Sequence, residues 1–91
     1  MDTKPATENR YHFYKIVPSA YPVLLHPDVV RDAILIVNEG SQAIRIGHSG
    51  TVSSVGTYLD GGNSLADNYS RDAWWAQAVA ASGTVSGFAV L

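Results

Sequence analysis

The feature that most limits how this chain can fold is its division into short β-branched and aromatic runs, nearly all cut off by glycine, proline, asparagine or aspartate. Tyr11-His12-Phe13-Tyr14-Lys15-Ile16-Val17 stops at Pro18, and Ala33-Ile34-Leu35-Ile36-Val37 stops at Asn38. A helix needs an apolar stripe repeating about every 3.6 residues over several turns, whereas a strand needs only about four to eight suitable residues. Runs of this length and composition predict strands, because branched and aromatic side chains pack well on a pleated surface.

The strands expected on this reading cover residues 11–17, 21–25, 32–38, 43–47, 56–59, 64–69, 73–80 and 85–91. Pro22 near the start of the second places it at a sheet edge, where a missing N–H is tolerated. The five apolar residues from Ala33 to Val37 suit a central strand covered on both faces. Asn38-Glu39-Gly40-Ser41 reads as a hairpin loop, with Gly40 supplying a positive φ and Asn38 bonding to the local backbone. Residues 48–56 are small and polar and read as a surface loop, and Asp60-Gly61-Gly62-Asn63 reads as a turn. Ala73–Ala80 is ambiguous, since alanine and an Asp72 cap favour a helix. The strand reading is preferred because it runs on through Ser82-Gly83-Thr84 into the last strand.

About eight short strands predict an all-β fold: an antiparallel sandwich or a small jelly-roll-like barrel. Residues 1–10 carry Pro5, alternating charges and no large apolar residue beyond Met1, and are expected to form a flexible N-terminal arm. Residues 11–91 are expected to form a single domain.

Composition then removes function classes. There is no cysteine, so disulfides, thiolate zinc sites and cysteine nucleophiles are absent from these residues. Six Lys and Arg residues, scattered from Lys4 to Arg71 under a net charge of −2, give no basic cluster for nucleic acid. The longest apolar run falls far short of the ~20 residues that span a bilayer. The polar N-terminus lacks the apolar stretch of a signal peptide, so synthesis in a cytoplasm is expected. His12, His26 and His48 share no ligand spacing, and no metal or other cofactor is expected. No serine sits in a G-x-S-x-G frame, and Gly47, Gly50 and Gly56 match no phosphate-binding motif. Glu8 falls in the arm and Glu39 in a turn, so no pair of catalytic carboxylates is apparent. The expectation is a protein that is not an enzyme.

The Trp74-Trp75 doublet is the most informative local feature. Neighbouring strand residues face opposite ways, so one indole enters the core and the other does not. The plainest expectation puts Trp75, with Val79, inside and Trp74 against a loop. The alternatives are an interface role for one indole or stacking on a sugar ring. Candidate interface residues are Tyr11, Phe13, Tyr14 and Tyr21 from the aromatic-rich start of the domain, together with Trp74 and Trp75.

Several pieces recur in order from Ala33 to Leu91. An apolar strand ends in Asn38, an Ile-x-Ile-Gly strand precedes a Ser-Gly-Thr loop, and a Leu-x-x-Gly turn is followed by Ser64-Leu65. Ala81-Ser82-Gly83-Thr84 then leads to the terminal strand. This stretch resembles the small β-sandwich proteins that decorate and stabilise the capsids of tailed bacteriophages. The Trp doublet and residues 68–72 depart from that pattern. The resemblance implies a non-enzymatic cement protein on the virion surface, made in the host cytoplasm. Its partners would be the major capsid protein and neighbouring copies of itself, as a homo-oligomer with a trimer as one option. Two rivals are a glycan- or receptor-binding module of a tail fibre or tip, and a head–tail connector subunit.

Overall fold

The computed structural model describes residues 10–68 and 70–91. Eight strands follow one another: β1 (Arg10–Val17), β2 (Val23–His26), β3 (Ala33–Asn38), β4 (Ile44–Gly47), β5 (Thr57–Leu59), β6 (Ser64–Asp67), β7 (Trp74–Ala78) and β8 (Gly83–Val90). A single helical turn, α1 (Val52–Val55), lies between β4 and β5. The strands form two four-stranded antiparallel sheets ordered β1-β8-β3-β6 and β2-β7-β4-β5. That arrangement is the jelly-roll form of a β-sandwich. Arg10, expected in the arm, is the first residue of β1. The rest of the expected arm, and Tyr69, lie outside the described residues.

Alternation along each strand builds the core. Phe13 and Val17 of β1, Ile34 and Ile36 of β3, and Val85 and Ala89 of β8 point inward from one sheet. Leu25, Ile44, Ile46, Leu59, Trp74, Ala76 and Ala78 meet them from the other. β3 is central but not covered on both faces, since Ala33, Leu35 and Val37 face outward and are half-buried. β8 is the spine of its sheet, and at Gly87 it passes so close to β3 that an added Cβ would overlap the Leu35 carbonyl. The same Cβ would come within 2.8 Å of Phe13 Cζ. The absent side chain lets Phe13 lie across the strand opposite it.

The expected hairpin at residues 38–41 is not one. β3 and β4 belong to different sheets, and their connection crosses the sandwich. Asn38 causes the crossing: it is fully buried, and its Nδ2 donates to the carbonyls of Gln42 (2.8 Å) and Leu59 (2.9 Å). Its Oδ1 accepts from the Gly40 N–H at 3.1 Å. Its main chain accepts from Gly62 and donates to Asn63, fastening the β5–β6 turn to the same point. The positive φ sits at Gly62 (82°) and at Ala81 (52°), not at Gly40. The expected surface loop at 48–56 contains α1, which drives Val52 into full burial beneath it.

Candidate interaction surface

Of the six candidate residues, the structure sends two inward. Phe13 and Trp74 are 6% and 7% exposed and belong to the core, so neither is available to a partner. Trp74, and not Trp75, is the buried indole, which overturns the expected pairing of Trp75 with Val79 inside. Trp74 shares its face with Ala76 and Ala78, whose small side chains leave room for one large ring between the sheets. Trp75 lies half-buried on the outer face of its sheet beside Leu24, while Val79 is exposed.

The other three candidates are exposed. Tyr14 is the most open of the three, Tyr21 lies in the connection between β1 and β2, and Tyr11 is partly covered by its contacts. The Tyr11 ring lies 6.5 Å from that of Phe13 and 5.5 Å from the imidazole of His26. Ile16, not among the expected residues, is as exposed as Tyr14. It shares the parity of His12 and Tyr14, a signal that was readable in the sequence.

Two clefts complete the picture. One, of about 310 Å³, is lined by Tyr11, His26, Pro27, Val29 and Leu91, where β1 and β2 lie at the same side of the sandwich. Its lining is apolar apart from the imidazole and the phenol. Burial, and secondarily the charge of Arg31, lower the pKa of His26 below its ordinary value. The second cleft, of about 250 Å³, is bounded by Ile46, Val52, Leu65 and Trp74, with His48 among its polar residues. The His48 imidazole lies 4.2 Å from a Trp74 ring, and its Nδ1 is 3.0 Å from the Ala73 carbonyl. A carbonyl only accepts, so the Nδ1 carries the proton in this contact.

On the opposite face from the core, Arg45 of β4 lies over the Tyr58 ring at 4.4 Å and donates to its hydroxyl at 2.9 Å. Arg45 lies opposite Gln77 in the sheet. Among the described residues, no group of three or more His, Asp or Glu side chains is placed to hold a metal ion, and no helix is long and apolar enough to cross a membrane.

No protein family matches the sequence, and no curated protein matches it. Solved structures do share the fold. One is a Bacillus endospore appendage protein from a family described as disulfide-linked pili. It is 18% identical with a TM-score of 0.58, over 92% of this chain and 84% of that one. Another is an RmlC-like cupin from Shewanella frigidimarina NCIMB 400, 9% identical with a TM-score of 0.53. That match covers 97% of this chain and 87% of the cupin. At these identities the likeness is one of fold.

Proposed function

We propose that this protein is a non-enzymatic structural component that acts by docking within a large assembly, and specifically a capsid decoration protein seated on the major capsid protein of a tailed phage. The observation that carries the docking role is the exposure of Tyr14 and Ile16 on an edge strand. Large apolar side chains gathered at an open edge lower solubility unless a partner covers them. Beside that edge, the cleft at Tyr11, His26 and Val29 offers a socket for an apolar side chain. The capsid itself enters through the resemblance of residues 33–91 to decoration proteins. A unit present in many copies on a shell gains avidity, so each contact can be small.

On this reading the protein is made in the host cytoplasm and ends on the virion surface, beside copies of itself. The pilus protein that shares its fold is one of a disulfide-linked family, whereas the 91 residues here contain no cysteine. Contacts between copies through these residues are therefore not disulfides.

Co-sedimentation with empty capsids tests the proposal. The protein is expected to pellet with shells, and Val29→Lys, which puts a charge into the cleft beside Tyr11 and His26, is expected to leave it in the supernatant while still folded. Binding in a single ring of copies would point instead to a connector subunit. A glycan-binding module is the second reading, favoured by the outward Trp75. Glycan binding abolished by Trp75→Ala, without capsid binding, would replace the first reading with that one.

A further inference from the structure

Four strands end the two sheets among the described residues: β1 and β6 in one, β2 and β5 in the other. Sheets guard their edges with short strands, prolines, bulges or charges. β5 has three residues, and β6 has four and carries Asp67. β2 has four, follows Pro22, and slips in register between Leu24 and His26. β1 is unlike them. Its eight residues pair with β8 without a break, it contains no proline, and its charges are Arg10 at its start and Lys15. Two of its outward side chains, Tyr14 and Ile16, are 67% and 66% exposed. Such an edge is a template for another strand.

We infer that β1 pairs antiparallel with β1 of a second copy, about a two-fold axis at Tyr14. The inference rests on the reading of this protein as an assembly component and names the contact between copies. A strand paired with itself in this way makes an isologous interface that closes at the dimer. Core-facing residues stay on the core side only if paired positions share parity, so the axis passes through a residue and not between two. Centred on Tyr14, the pairing sets Tyr14 against its equivalent, His12 against Ile16 and Phe13 against Lys15. It covers the two open apolar side chains and puts no two like charges directly opposite. The β1-β8-β3-β6 sheets of the two copies become one sheet of eight. The two copies of Lys15 lie on a diagonal of about 7–8 Å, a repulsion that salt screens. The dimer therefore tightens as ionic strength rises.

The chain has no cysteine, so an introduced thiol is unique. The test uses Tyr14→Cys, His12→Cys and Ile16→Cys in the full chain under mild oxidation, with exposed Ser53→Cys as control, and sedimentation equilibrium of the unmodified protein. A dimer is expected by sedimentation. Tyr14→Cys is expected to cross-link rapidly, because on-axis partners fall within disulfide reach. His12→Cys and Ile16→Cys are expected to cross-link to each other when mixed, but not each to itself. Tyr14→Lys is expected to weaken the dimer at least tenfold with an unchanged circular dichroism spectrum. A monomer at high micromolar concentration, or Tyr14→Cys oxidising no faster than the control, overturns the inference. A monomer that still binds capsids overturns this contact alone, and a dimer that ignores capsids overturns the capsid reading alone.

Discussion

Arg31 and His26 share one buried site, with guanidinium Nη1 3.4 Å from imidazole Nδ1. An arginine only donates, so Nδ1 accepts and the neutral imidazole holds its proton on Nε2. Arg31 is fixed by donation to the carbonyls of Pro27 and Asp72 and is attracted by Asp67, Asp72 and Asp28. Burial first and Arg31 second hold His26 below its ordinary pKa of 6.5.

Stability should therefore fall on acidification. Below pH 6.5 the unfolded chain takes up a proton at His26 that the folded chain refuses, until the lowered folded-state value is reached. Thermal midpoints are expected to drop as pH passes from neutral to below 6.5, and His26→Gln is expected to flatten that part of the profile. An identical acid limb in the variant would assign the pH dependence to other groups.

Asn38→Ala removes two donors from buried carbonyls and frees the β3–β4 crossing. A loss of about 2–3 kcal/mol is expected in urea unfolding. Asn38→Asp should cost more at neutral pH, where a carboxylate would face the Gln42 and Leu59 carbonyls, and less in acid once protonated.

Gly87→Ala forces a methyl against the Leu35 carbonyl and the Phe13 ring. Destabilisation of about 1–3 kcal/mol or somewhat more is expected, because backbone on the neighbouring strand has little room to retreat. Pairing it with Phe13→Leu, which shortens the opposing ring, should recover part of the loss in a double-mutant cycle.

The two tryptophans should separate cleanly. Trp74→Ala is expected to cost about 3–5 kcal/mol through the cavity it leaves. Trp75→Ala should cost roughly half as much, because its ring is only half-buried. Chemical denaturation of both variants checks the order, and a reversed order would contradict the inward placement of Trp74.

Much of this fold was legible because alternation is local. The two faces of β4 and β8 follow from every second residue, whereas the unbroken apolar run of β3 gave no alternation to show that Ala33, Leu35 and Val37 face outward. Partnership is not local: Asn38-Glu39-Gly40-Ser41 has hairpin chemistry, yet the buried Asn38 amide turns the chain across the sandwich. Alternation also divides Trp74 from Trp75 without saying which set lies inside. Gln77 shares a face with Trp75, but it is itself buried, its amide donating to the Ser19 carbonyl, so a polar residue there did not mean an open face. Val52 was hidden because a single valine in a polar stretch has no periodicity to read. Ile16 carries no ring to mark it as an interface residue, although its parity matches that of Tyr14.

Among the described residues, only β4 and β5 are successive strands that pair with each other. Every other step changes sheets, and β8 is flanked by β1 and β3. The β3–β6 pair and β1 can therefore join into one sheet only when β8 has settled between them, with β1 left unpaired and sticky until then. Acquisition of the native state should be sluggish and all-or-none, with chaperones guarding the interval.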